Sequence, residues 1–156
     1  MRHIIAIHLQ NEAGALTRVA GLFSSRGYNI ESLSVAPTDD PIVSRLTLVT
    51  TGDDAVIGQI LHQLGKLVDV VRVADLTRGA HHERELLLLK LSVPIGRKAA
   101  LEAAMAAAGA RVVSPELEAY VIELTSSEAQ VNRFIAEASQ HGELLEVVRS
   151  GSLGIG

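Results

Sequence analysis

Cysteine and tryptophan are absent from this chain, and aromatic residues fill only 3% of its 156 positions. Without cysteine there is no disulfide staple, no thiolate metal site and no cysteine nucleophile. With two tyrosines and two phenylalanines, the core has to come from Leu, Val, Ile and Ala, in a chain that is 47% hydrophobic. Positive charge is not in excess either. The net charge is −4, with Arg and acidic residues interspersed, which argues against nucleic acid or an anionic membrane as partner. No apolar run approaches membrane-spanning length, and no signal-peptide pattern follows Met1-Arg2. The expected location is therefore the cytoplasm, or an organelle for a chain without its transit segment. The length suits one medium domain or two small ones, with enough chain to bury a real core.

What is present is a repeated helical spacing. Apolar residues fall at i, i+3, i+4 and i+7 in Leu16, Val19, Ala20, Phe23 and in Ile57, Ile60, Leu61, Leu64. The same spacing recurs in Leu101, Ala104, Met105, Ala108 and in Val131, Phe134, Ile135, Ala138. Each set makes one apolar stripe on a helix of about three turns. Strand-like runs lie between them at 4–9, 30–35, 43–50 and 67–76, then at 86–93, 110–113, 120–124 and 144–149. The order is β-α-β-β-α-β, written twice. This predicts an α+β chain of two tandem ferredoxin-like units, each an antiparallel sheet with two helices on one face. The polar stretch around Gly79 separates the halves, giving a first domain at 1–77, a linker at 78–83 and a second domain at 84–156. The sheet face away from the helices needs cover, which a partner chain or the other half would supply.

The repeat is inexact. Leu16 to Leu101 is a shift of 85 and Ile57 to Val131 a shift of 74, so the second unit is about eleven residues shorter between its helices. In the first unit that interval carries Asn29 and the turn APTDDP at 36–41. Only the first half keeps the equipment of a small-molecule site, and the second reads as a structural or partner-binding copy.

The equipment lies in NEAGALTRVAGLFSSRGYNIESL, from Asn11 to Leu33. Asn11 stands just before the first helix, and two readings of it stay open. It can be an N-cap whose side-chain oxygen accepts an amide hydrogen bond. It can also flank a ligand, because the first-turn amides of a helix have no internal acceptor and attract a carboxylate. Gly14 has no side chain to block close approach, and Ala15 adds little bulk. Gly27 reads as the left-handed stop of the helix. Asn29 either caps a turn or offers its amide carbonyl to an ammonium group at the opening of the second strand. Together these groups suit a free amino acid, which needs partners for its carboxylate and its ammonium.

No catalytic set can be assembled around them. His81 and His82 are neighbours in an extended segment and point to opposite sides, as do His3 and His8 on one strand. Ser24 and Ser25 occupy a last helical turn with no His in register, and Asp39-Asp40 sits between Pro37 and Pro41 in a turn. An RNA-binding module shares this strand–helix order but stacks bases on sheet aromatics. Here Phe23 and Phe134 fall on helices, so that reading fails.

NEAGALTRVAGLFSSRGYNIESL, followed by VAPTDDPIVSRLTLV, closely resembles the regulatory (small) subunit of acetolactate synthase, also called acetohydroxyacid synthase. The likeness continues through LGKLVDVVRVADL, HERELLLLKLSV and GELLEVVRSG, and so covers nearly the whole chain. It departs from the family pattern at Ala13, where relatives often carry Ser or Pro, and at Ser152, where they often keep an apolar residue. The resemblance implies that the first half is an ACT domain, a ferredoxin-like unit that senses amino acids. It implies a non-catalytic subunit that stimulates a separate catalytic subunit and confers feedback inhibition by valine or another branched-chain product. The thiamine diphosphate, FAD and magnesium of the reaction would belong to that partner, with no cofactor in this chain. It further implies a homodimer through paired ACT domains, with the ligand surrounded by Asn11, Gly14 and Ala15 of one chain and Asn29 and Ile30 of the other. Leu16 would help to line the aliphatic part of the pocket. A stand-alone ACT-domain sensor acting on another partner is the alternative.

Overall fold

The computed structural model describes residues 1–115 and 119–156. They cluster into two compact units, Met1–His82 with Ser152–Gly156, and Glu83–Gly151. In the first, the chain runs β1 (Arg2–Gln10), α1 (Ala15–Ser24), β2 (Ile30–Pro37), β3 (Val43–Thr51), α2 (Asp54–Leu64), β4 (Val70–Asp75). The strands lie in the order β2-β3-β1-β4, every pair antiparallel. The α+β fold with the βαββαβ pattern written twice is the one expected from the spacing.

Alternation along the strands decides which face meets the helices. Ile5, Ile7 and Leu9 of β1 and Leu46 and Leu48 of β3 bury against Val19 and Phe23 of α1 and Ile57, Ile60 and Leu64 of α2. Burying such a side chain contributes about 1.5–3 kcal/mol. The stripe on α1 is displaced from the expected one. Ala15, Val19 and Phe23 form the buried face, whereas Leu16 is 37% exposed. The helix starts at Ala15, and spacing by four residues from there leaves Leu16 outside. Gly27, with φ of 72°, ends the helix as expected, and Tyr28 N–H donates to the Phe23 carbonyl at 3.0 Å.

The last residues of the chain, grouped on sequence with the second half, cluster with the first unit. They form β9 (Leu153–Ile155). Ser152 N–H donates to Ser32 Oγ at 2.9 Å, and Gly154 N–H to Thr47 Oγ1 at 3.3 Å. Arg45 Nη2 donates to the Gly154 carbonyl at 2.6 Å. A Cβ on Gly154 would stand 2.9 Å from the methyl ends of both Ile4 and Leu76, so the absence of a side chain is what lets the strip lie down. Ser152, a departure from the family pattern, is 2% exposed at the start of it.

The second unit runs β5 (His82–Ser92), a 3₁₀ turn Ile95–Arg97, α3 (Lys98–Ala108), β6 (Arg111–Pro115), β7 (Tyr120–Ser126), α4 (Glu128–Ala138) and β8 (Glu143–Arg149). The strand path is β6-β7-β5-β8. Four leucines in a row open the core of β5, but only alternate ones turn inward. Leu87, Leu89 and Leu91 are fully buried, while Leu86 and Leu88 stay partly exposed. Leu87, Leu89 and Leu91 pack with Leu101, Met105, Val131 and Phe134. The shortening relative to the first unit falls partly on β6, five residues against the eight of β2, and on β7, seven against the nine of β3.

Candidate functional site

Asn11 does not cap α1. Its backbone N–H donates to the Ile42 carbonyl at 2.8 Å and its side-chain Nδ2 to the Pro41 carbonyl at 3.0 Å. Both bonds tie the end of β1 to the β2–β3 turn, and they leave the Asn11 amide oxygen without a partner among the described residues. That turn is itself closed by Asp40, whose carboxylate accepts from Ile42 N–H at 3.1 Å, and by Thr38, whose hydroxyl donates to the Val43 carbonyl at 3.0 Å. The residue that caps the helix is Gly14, at φ 88° and ψ −14°, with no side-chain cap bond. An L-residue at such a φ is strained by about 1–2 kcal/mol, so a glycine here serves the backbone as well as leaving room.

Because no side chain caps the helix, the N–H groups of Leu16 and Thr17 find no acceptor among the described residues. They face outward at the positive end of the helix. Ala15 contributes only backbone, since its methyl is 2% exposed in the core and its N–H reaches the Glu12 carbonyl at 3.3 Å.

A cation stands beside these amides that the spacing argument missed. A Cβ on Gly14 would lie 2.9 Å from Arg18 Nη1, so the guanidinium reaches back over the helix entry. Arg18 Nε is held by the carboxylate of Asp69, which is 4% exposed. The Asp69 carbonyl in turn accepts from Gln10 N–H at 2.7 Å. The hydrogen bond from Arg18 holds the Asp69 carboxyl below its usual range, against the opposing effect of desolvation. The same bond raises Arg18 above its own. One guanidinium nitrogen is thus fixed by a buried acid while another faces Gly14. The available signal was the i, i+4 spacing of Gly14 and Arg18, which puts the two on one helix face.

Asn29 and Ile30 lie at the other end of the sheet. The Asn29 carbonyl accepts from Thr50 Oγ1 at 2.7 Å, and its side chain is exposed with no partner among the described residues. Ile30 is partly buried against the core. Asn11 is tied to Ile42, the residue before β3, and Asn29 to Thr50 near its far end, a span of eight residues that at ~3.3 Å per residue is about 26 Å. One copy of the chain therefore brings Asn11, Gly14, Ala15 and Leu16 together but keeps Asn29 and Ile30 away from them. Between the two groups runs β2, which among the described residues is paired on one side only, with β3. Among the described residues no three His, Cys, Asp or Glu side chains gather to hold a metal ion, and no helix is long and apolar enough to cross a membrane.

Residues 5–72 match the family described as "AHAS small subunit-like ACT domain", and residues 84–156 match "Small subunit of acetolactate synthase". The isozyme 3 small subunit of acetolactate synthase from Escherichia coli is 46% identical, over 99% of this chain and 95% of that one. The chain belongs to the acetolactate synthase small-subunit family. The small subunit from Haemophilus influenzae is 41% identical over 99% of this chain and 95% of its own. The crystal structure of the Thermotoga maritima small subunit superposes with a TM-score of 0.87 at 30% identity, covering 99% and 96%. Membership of this family implies a regulatory role beside a catalytic subunit. The ACT match spans every residue from Asn11 to Ile30, and the second match takes in the strip Ser152–Gly156 that lies on the first unit.

Proposed function

We propose that this chain binds and stimulates the catalytic subunit of acetolactate synthase and makes it subject to feedback inhibition by valine, in branched-chain amino acid biosynthesis. The observation that carries the reading is the separation of the two groups of residues along an open-edged sheet. Two copies joined antiparallel through β2 around a two-fold axis set the start of one β2 beside the end of the other. Asn29 of each copy then approaches the β2–β3 turn to which Asn11 is bonded in the other. Such a pairing is isologous and closes two equivalent sites.

In each site the free Leu16 and Thr17 amides and the Arg18 guanidinium receive the carboxylate, and Asn29 receives the ammonium. Leu16, partly exposed at the helix entry, offers an aliphatic contact. Charge-assisted hydrogen bonds of about 1.5–3 kcal/mol each bridge two chains, so binding favours one dimer arrangement over others. A catalytic partner that grips the arrangements unequally then feels the ligand, with couplings of about 1–3 kcal/mol. No group in the site is placed to act as acid, base or nucleophile. On this reading the thiamine diphosphate, FAD and magnesium sit in the partner.

The test is the activity of the catalytic subunit with and without this chain across a valine titration. Stimulation that valine removes is the expected result. A catalytic subunit indifferent to the chain, together with valine binding by the chain alone, would point instead to a stand-alone sensor.

A further inference from the structure

The second unit repeats, in strand register, the corner that holds Asn11 and Asp69 in the first. Across β1 and β4, Leu9 faces Val70, so Gln10 and Asp69 come next. Across β5 and β8, Leu91 faces Leu144 and Ser92 faces Glu143. Both pairings shift register one step earlier, between His8 and Leu9 and between Lys90 and Leu91. Glu143 thus occupies the place of Asp69, and segment 93–97 the place of 11–14.

The chemistry of the two corners differs. In the first, the acid is consumed by Arg18. Helix α3, KAALEAAMAAA, carries no arginine to take that part, and Glu143 is left exposed and unpaired among the described residues. The corner opens instead into a cavity of about 460 Å³ whose walls include Ser92, Arg97, Gln140, His141 and Glu143. That volume is in the range of small-ligand sites. Arg97 also has no ion-pair partner among the described residues. Two opposite charges therefore line one cavity without neutralising each other. On the same wall, His141 Nδ1 has neither solvent contact nor a hydrogen-bond partner, an unsatisfied group that natural structures keep rare. The geometry is fixed by Gly142, where a Cβ would meet the Ser92 carbonyl oxygen at 2.3 Å. Only a glycine allows the turn before β8 to press against the end of β5.

We infer that this cavity is a second small-molecule site of the chain, taking a free polar α-amino acid. Arg97 receives the carboxylate and Glu143 the ammonium, while the Ser92 hydroxyl and the Gln140 amide of the wall face the ligand's side chain. The inference is independent of the valine reading, because it uses no residue of the first unit.

The experiment titrates the isotopically labelled full chain with each of the twenty amino acids, reading the backbone amide signals of Ser92, Arg97 and Gly142 by NMR. At least one polar amino acid is expected to give a saturable shift there. Arg97→Ala and Glu143→Gln should each raise its Kd about tenfold or more, the loss of one charge-assisted contact. Its carboxamide and N-acetyl derivatives should bind the unaltered chain as weakly. Both substituted positions are exposed, and unchanged signals from Leu89, Val131 and Phe134 in the core of the second unit report that each variant is folded. No saturable shift with any of the twenty would overturn the site. A response that depends on Arg97 but not on Glu143 would overturn the amino-acid assignment in favour of a simple anion.

Discussion

Replacing Gly14 with Asp separates the two things this glycine does. At φ 88° any L-residue is strained by about 1–2 kcal/mol, and Asp tolerates that region better than Ala. Gly14→Asp should therefore cost no more stability than Gly14→Ala, about 1–2 kcal/mol for either by urea denaturation. The two part company over the ligand. The new Cβ would start 2.9 Å from Arg18 Nη1, so an Asp carboxylate is delivered to the guanidinium and the open amides of the first turn. It takes the position proposed for the valine carboxylate, and two charge-assisted contacts of about 1.5–3 kcal/mol each are lost to the ligand. That is more than 100-fold in affinity. Gly14→Ala displaces the flexible end of Arg18 but adds no charge, and should weaken valine by less than about tenfold. The assay is calorimetric titration of valine into each variant, with valine inhibition of the reconstituted enzyme measured beside it. Equal losses in the two variants would mean that Gly14 matters only for backbone shape. Unchanged valine affinity in Gly14→Asp would refute the placement of the carboxylate altogether.

Three further outcomes follow from the same geometry. Asn29→Ala removes an exposed amide that has no partner among the described residues, so it should weaken valine by roughly 10- to 100-fold with an unchanged melting temperature; unaltered affinity by calorimetry would take Asn29 out of the site. Asp69→Asn should flatten the acid limb of stability. A carboxyl held below its ordinary value near ~3.9 by Arg18 contributes stability above that pH and loses it as pH falls through the depressed value, so the wild-type and variant melting temperatures should converge as the pH is lowered through it. Gly154→Val pushes a branched side chain against Ile4 and Leu76 and should cost about 1–3 kcal/mol. Its effect should appear in hydrogen exchange of β1 and β3 and not in that of β7.

Most of the architecture was legible because it is written in periodicity. The stripes on α2, α3 and α4 lie where the spacing put them, and the strands between them are Leu-, Ile- and Val-rich runs of ordinary length. The α1 stripe slipped because the helix begins one residue before Leu16, a matter of one backbone angle at Gly14 that side-chain patterns do not encode. The site was legible in its residue types but not in its bonds. Asn11 has the chemistry of a cap, yet it spends its amide on Pro41, thirty positions along the chain, and only folding makes that competitor available. The Arg18–Asp69 pair, separated by 51 positions, was invisible for the same reason. In the second unit nothing in the sequence pattern singles out Glu143, and strand register alone sets it where Asp69 stands in the first.

The strip Ser152–Gly156 makes the first unit discontinuous along the chain, and this has a bearing on how the protein is made. Strands β1 to β4 leave the ribosome early, but the segment that hydrogen-bonds Ser32 and Thr47 and lies against Ile4 and Leu76 emerges only after the whole of Glu83–Gly151. Until then the ACT-domain half is a sheet with one piece missing. Its completion, by hydrogen bonds from Ser152 and Gly154 N–H to side-chain hydroxyls, waits on the synthesis of the residues that build the second unit.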